Sequence, residues 1–456
     1  MTIAAGTDIA LVAHLMRRAA FGEPAWRLEQ LARRPYEELV EDLLTVERFE
    51  RPEEDLLDRF HLEHADEESY QWFAKRWYFR MINSPRPLEE KVALMWHNRF
   101  ATAASKVNNA RMMGAHLEML RDCGLGSFRT LLQRLSRSPA MIWWLDQQTN
   151  HADAVNENYG RELLELFSMG RGNYGEDDVR SAARAFTGWT IDQTIPRYPN
   201  GWYDTNFVYR ADDHDDGDKT FLGETGNFNG DDIVDIVVRQ PATAAFVATT
   251  AYRFFVSDTV DAQAVKALEK AYFDSGYEIR GVLRVLFNSD FFKRSAFKRI
   301  RWPVELVVGA IRLTGQHTDP YEFGLDALPK ASASMGQEVL NPPTVEGWHL
   351  GREWIDSSFL IERVNFVADR FGNPSTPGMA RVIERIGLGR TEMSPAVLLD
   401  SCLYEMGCIE LAGKTREAVL QQIAEGGPVS VHDGIFADRV AYVLQLIGSS
   451  REFQRG

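Results

Sequence analysis

Asn156–Gly170, NENYGRELLELFSMG, is the stretch that decides how this chain reads. At helical spacing Asn158, Arg161, Glu162 and Glu165 share one face, while Tyr159, Leu163, Leu166 and Phe167 share the opposite one. A helix with an apolar back and a strip of amide, guanidinium and carboxylate is either an ion-pair scaffold or part of a site. Glu157, Arg161 and Glu165 place acids on both sides of a base at i, i+4 and i+8, where exposed pairs stabilise a helix by about 0.2–0.5 kcal/mol each. Glu162 and Asn158 have no such local partner. A little further on comes the tripeptide Thr187-Gly188-Trp189.

Outward from that helix, most of the chain repeats apolar residues three and four apart. The spacing predicts helices over 8–20, 25–46, 66–82, 87–104, 106–122, 127–135, 156–168 and 176–187, then over 231–239, 241–257, 261–274, 278–287 and 302–315. Ser84-Pro85-Arg86-Pro87, with acids in the following turn, and Ser138-Pro139 read as helix starts. Two stretches break the pattern. Residues 190–230 are rich in Gly, Asn, Asp and aromatics and suggest a long loop with a short hairpin around Phe207–Arg210 and Thr220–Leu222. Residues 331–358 are dominated by Gly, Pro and Trp. The expected fold is mainly α: a multi-helical domain over 1–370 carrying these two irregular Trp-bearing loops, and a small C-terminal helical subdomain over 371–456. Loops of this length tend to be functional, and the two are expected to rim a cleft.

Composition narrows the function. Over 456 residues, hydrophobics at 45% and charged residues at 26% are ordinary for a globular protein. The formal charge of −15 argues against phosphate-backbone binding as the main task, so nucleic acid is not an expected partner. Cys123, Cys402 and Cys408 cannot all pair and lack zinc spacing; they read as small core residues. The opening MTIAAGTDIALVAHLMRRAAFG has no basic start and no cleavage pattern, and no apolar run approaches the roughly 18 residues that span a bilayer. A cytoplasmic location and no membrane span are the resulting expectations.

An ordered series of blocks then gives a resemblance. His14–Gly22 (HLMRRAAFG), Met95–Ala101 (MWHNRFA), Asn156–Gly170, Asp178–Trp189, His214–Thr220 (HDDGDKT), Pro241–Val256, Pro303–Val307, Met335–Gln337, Pro342–Trp348, Trp354-Ile355 and Ser450–Arg455 resemble the bacterial domain-of-unknown-function 1800 family. The chain departs from that pattern with Arg99 where a second histidine is common and Gly160 where alanine is usual. The resemblance covers nearly the whole chain and implies no reaction. It does imply that relatives include exported proteins, so export of a longer precursor stays open.

The candidate site residues follow from chemistry. Glu162 and Glu165 are the candidate general acid and base, since Arg161 between acids can hold one carboxyl ionised while burial raises another. His97 and Asn98, on the helix bearing Val92, Met95, Trp96 and Phe100, offer a proton-transfer histidine beside an orienting amide. His214 and Asp215 form the polar pair of an acidic loop, with Lys219 as an anion contact. An EF-hand reading of that loop fails, because Gly223 stands where a bidentate Glu is required. Trp189 and Trp348, each preceded by glycine, suit a flat platform for a sugar ring. No G-x-S-x-G, H-E-x-x-H, Walker or dinucleotide motif is present.

Taken together, these residues point to an acid–base enzyme, a hydrolase or lyase, acting on a polar, carbohydrate-like small molecule. Glu162, Glu165, His97, His214 and Asp215 would be its catalytic groups, with Arg161, Asn158, Asn98, Lys219, Trp189 and Trp348 as its substrate contacts. Cleavage of a glycoside would require a carboxyl group opposing Glu162 and Glu165, such as Asp215. A non-catalytic binding or assembly module, in which the same polar face is a scaffold, is the second reading. A metal- or haem-dependent enzyme is the third. The sequence assigns no metal ligands and no cofactor. What separates the first two readings is exposure: an open pocket favours chemistry, and sealed pairing favours the scaffold.

Overall fold

The computed structural model describes residues 7–53, 56–60, 69–192 and 204–456. Among them are 24 α-helices and three antiparallel strand pairs, so the fold is mainly α as the periodicity predicts.

The helix Pro87–Arg99 is the axis of the packing. It starts where the Ser-Pro-Arg-Pro sequence predicts, with Pro87 in its first turn and Glu89 and Glu90 beside the positive end of the helix dipole. Every residue from Pro87 to Asn98 is buried, charged ones included. Burying those charges requires partners, and each has one. The Glu90 carboxylate accepts from Arg121 at 2.8 and 3.1 Å and from the Trp77 indole at 3.0 Å. Lys91 pairs with Glu305, which also receives Arg299, and Glu305 caps its own helix by accepting from Trp302 N–H at 2.8 Å. These cations hold the Glu305 carboxyl ionised, down to about 2. Around this axis a single apolar core runs from Val12 to Phe453.

Some predicted helices are shorter or divided. The expected helix over 25–46 is two, Ala25–Leu31 and Tyr36–Leu44, because Pro35 disfavours helical geometry at Arg34 and caps the second helix. The one over 106–122 begins at Ala110, after Asn108 turns into the left-handed region at φ 47°. The signature helix runs over Asn158–Glu165 and closes with the Leu164 carbonyl accepting from both Met169 and Gly170 N–H. Residues 66–68 of another expected helix lie outside the described residues; Tyr70–Asn83 is helical.

The first irregular stretch holds two strand pairs. Trp189–Ile191 pairs with Phe207–Tyr209, and Lys219–Phe221 pairs with Glu224–Gly226. The two strand-like segments expected to form one hairpin therefore each take a different partner. Leu222 and Gly223 both have positive φ, the geometry of a tight two-residue hairpin turn, and this fixes the second pairing. Residues 193–203, with Trp202, lie outside the described residues.

The tail holds the helices Pro377–Gly387, Pro395–Glu405, Gly413–Ala424 and Phe436–Gly448. Phe436–Gly448 packs along Ser357–Gly372, close enough that a Cβ on Gly448 would strike Val367. Arg363 reaches across to Gln454 at 2.9 Å, and Phe371 meets Phe453 edge-on. No helix of the described residues is long and apolar enough to cross a membrane. Cys123 and Cys402 are buried and Cys408 half-buried, all three as free thiols.

Candidate functional site

The Asn158–Glu165 helix packs Tyr159, Leu163 and Leu164 inward and leaves its polar strip half-buried at the surface. Two members of the strip are committed to structure. The Asn158 amide donates to Leu145 O at 2.9 Å. Arg161 grips Glu176 with both terminal nitrogens, at 2.7 and 2.9 Å, and Glu157 at 3.1 Å, tying this helix to the start of Glu176–Ala185.

The carboxylates differ from one another. Glu165 is ion-paired with Arg171 and accepts from the Tyr174 hydroxyl at 3.1 Å. Arg171 also lies 3.6 Å from Glu346 of the second irregular stretch. Glu162 has no hydrogen bond or ion pair from its carboxylate among the described residues. Its pKa is raised, first by burial and then by the negative charges of Glu165 and Glu346. Glu346, a residue the sequence did not single out, thus brings charge from the second irregular stretch near this helix.

His97 sits in a different environment. It is 0% exposed, and its Nε2 accepts from Leu340 N–H at 2.9 Å. The ring lies edge-on to Trp77 at 5.4 Å and tilted against Trp348 at 5.3 Å. Burial, with neighbouring His116 as a smaller cause, pushes its pKa down to about 3, so the imidazole is neutral. Asn98 Oδ1 accepts from Trp348 N–H at 3.0 Å. Gly347 has φ 85°, and a Cβ there would collide with the Asn98 carbonyl oxygen, so only glycine fits. Leu340 O in turn accepts from Ala104 N–H at 2.9 Å, and Asn341 Oδ1 from Ser105 N–H at 3.2 Å. His97 and Asn98 thus clamp the middle of the 331–358 stretch to the central helix.

His214, Asp215 and Lys219 form a second clamp of the same kind. His214 is buried, its Nδ1–H donating to Thr187 O at 3.0 Å, with Tyr209 edge-on to its ring. Asp215 takes a bidentate Arg184 at 2.6 and 3.1 Å, and that pairing holds its carboxyl below the usual range. Asp215 N–H donates to the Thr187 hydroxyl at 2.8 Å. Lys219, also buried, donates to the carbonyls of Asp215 and of Gly217, the latter at 2.9 Å. Gly188 has φ 77° and lies against the Arg210 carbonyl, where a side chain would clash. The Thr-Gly-Trp tripeptide and the His-Asp-Asp-Gly loop therefore knot together.

The tryptophans expected as a platform are covered. Trp189 is 4% exposed, with Arg137 over its face at 4.5 Å and Phe186 and Phe207 edge-on. Trp348 is 5% exposed beside His97. The structure thus forms three clusters: the carboxylates with Arg171 and Tyr174, the His97–Asn98–Trp348 clamp, and the Thr187–His214–Asp215–Lys219 knot. Among the described residues no hydrogen bond, ion pair or ring contact joins either imidazole to Glu162 or Glu165.

Haem or metal ligation by His97 is a poor fit to this geometry. The Nε2 lone pair already receives Leu340 N–H, and two indoles pack on the ring. Among the described residues no group of three or more His, Cys, Asp or Glu side chains is arranged to hold a metal ion.

Sequence reasoning missed a cleft elsewhere. It opens between the first three helices, the Ser84–Pro87 turn and the helix Pro303–Thr314, with a volume of about 590 Å³. A hollow of about 250 Å³ continues from it past Arg312 toward Arg381. The available signal was Trp26, an indole on a short N-terminal helix, together with the rigid Pro-Arg-Pro turn, which reads only as a helix start.

The family model described as "Protein of unknown function (DUF1800)" matches residues 14–455, and the chain belongs to that family. No match is found among curated proteins or among solved structures.

Proposed function

We propose that this protein is a non-catalytic binding module, a helical scaffold whose mid-chain polar residues fix two loops. The observation that carries this reading is the His97 clamp. A general base needs a titrating nitrogen within reach of substrate, whereas His97 is sealed, neutral and hydrogen-bonded to backbone. His214 and Lys219 likewise bond backbone carbonyls, which accounts for their burial without invoking a ligand.

One observation favours a second reading, acid–base chemistry by the carboxylate pair alone. Glu162 is raised and without a hydrogen-bond or ion-pair partner among the described residues, while Glu165 is ion-paired. Two neighbouring carboxyls in unlike environments are how hydrolases and lyases divide acid and base roles. A carbohydrate-like substrate would then have to reach the strip without the help of either imidazole.

Incubating the protein with pooled polar metabolites and oligosaccharides, then recovering bound and free fractions by mass spectrometry, separates the readings. The module retains compounds unchanged. A compound converted by wild type and spared by Glu162→Gln would overturn this reading in favour of the carboxylate pair.

A further inference from the structure

The cleft beside Trp26 has a consistent chemistry. Its walls are apolar, from Leu39, Leu43, Phe49 and Ile82, all built on buried or half-buried core positions. At its mouth stands Trp26, 47% exposed, an indole whose apolar face is open to a ligand. The floor is the Ser84–Pro87 turn, where two prolines fix the backbone before any ligand arrives.

Charge in the cleft runs against the rest of the molecule. The chain as a whole carries −15, yet four arginines line this hollow against two carboxylates. Arg34 pairs with Asp42 at 2.7 Å. Arg312 pairs with Glu23 and caps the carbonyls of Gly22 and Ile82 at 2.9 and 2.6 Å. Those two pairs neutralise both acids. Arg86 and Arg27 remain. Arg86 donates through Nε to Phe49 O at 2.7 Å, which aims the guanidinium, and its Nη1 makes a long ion pair with buried Glu89, outside the cleft lining, at 3.6 Å. Among the described residues the side-chain hydrogen bond of Arg27 goes to the neutral Gln30 side chain, at 3.0 Å, and no ion pair joins it.

We infer that this cleft binds an organic carboxylate with an apolar body. The body lies on the Leu39–Phe49 wall under the Trp26 indole, and its carboxylate meets the Arg86 fork, with Arg27 adding field. A guanidinium fork matches a carboxylate in two parallel hydrogen bonds, and the cavity volume suits a ligand of drug-like size. The inference names the ligand class for the binding-module reading and gains its biological sense from it.

The test uses 1-naphthoate as probe, with 1-naphthylmethanol as the uncharged match and acetate as the bodiless anion, titrated calorimetrically into the whole chain. Naphthoate binds at least about tenfold more tightly than the alcohol, in line with a charge-assisted contact, and acetate does not register. Trp26→Ala and Arg86→Gln each weaken naphthoate by about tenfold or more, with unchanged circular dichroism. Arg27→Gln gives a smaller loss and Glu162→Gln none. Equal binding of naphthoate and the alcohol, no binding of either, or indifference to both Trp26→Ala and Arg86→Gln would overturn the inference. Those failures leave the binding-module reading standing. Conversion of a bound compound by the Glu162 strip would sink that reading and leave the cleft untouched.

Discussion

Replacing His97 with phenylalanine isolates the clamp. The ring is kept, so packing against Trp77 and Trp348 survives, and the acceptor for Leu340 N–H is lost. A buried donor left without a partner costs about 1–3 kcal/mol, an upper bound here because the substitution also removes the His97 Nδ1–H, which has no acceptor among the described residues. With an unfolding entropy of about 2.1 cal/mol/K per residue, a chain of this length has roughly 1 kcal/mol/K in total, so Tm at pH 7 falls by about 1–3 °C. The pH dependence adds a second, independent check. The folded pKa of His97, about 3, lies below its ordinary 6.5, so on acidification the unfolded chain takes up the proton first. The stability that goes with a neutral buried imidazole is whole above about 6.5 and drains as the pH falls toward about 3. Wild type loses that increment in this window and the variant does not, so the gap between them narrows with acid. His14 and His116, lowered to about 3 and about 4, also by burial, are common to both proteins and cancel in the comparison. Differential scanning calorimetry from pH 7 to pH 4, with hydrogen exchange at Leu340, measures both effects. A variant as stable as wild type with Leu340 equally protected, or a gap that does not change with pH, would refute the reasoning.

Other consequences are sharper or simpler. Gly347→Ala forces a side chain into left-handed backbone against the Asn98 carbonyl; strain alone costs about 1–3 kcal/mol, and proteolysis within 331–358 should accelerate while the rest of the chain resists. Glu305→Ala leaves Lys91 and Arg299 buried without their anion, a loss of about 3–5 kcal/mol that a chemical denaturation curve would show. Glu162, raised by burial and by Glu165 and Glu346, titrates above the ordinary carboxyl value; carbon-detected NMR should find it there and see it fall in Glu165→Gln, and no response to that change would dissociate the pair.

Much of the helical framework is legible from periodicity, because apolar spacing reports which face meets a core. The break at Pro35 was legible too, in the residue before a proline, yet the apolar pattern runs straight through it. The glycines before Trp189 and Trp348 are visible in the sequence, and both Gly188 and Gly347 lie hard against a backbone carbonyl. What they could not announce is what approaches. His97 is sealed by Leu340, which lies 243 residues further along the chain, and beyond the local charge of Glu165 the charge near Glu162 comes from Glu346 in the same distant loop. Local spacing carries no information about such returns. The same limit applies to the tryptophans, which owe their burial to Arg137, Phe207 and His97 as well as to Phe186, the one covering ring near in sequence.

The most direct test of the clamp is the protonation of the His97 ring itself, followed by long-range nitrogen–proton NMR as the pH is lowered. A single neutral tautomer, with hydrogen on Nδ1 and a hydrogen-bonded Nε2, should persist to about pH 4.5, well above the lowered pKa of about 3. An imidazole that titrates between about pH 5 and 7, as one open to water or substrate would, contradicts it.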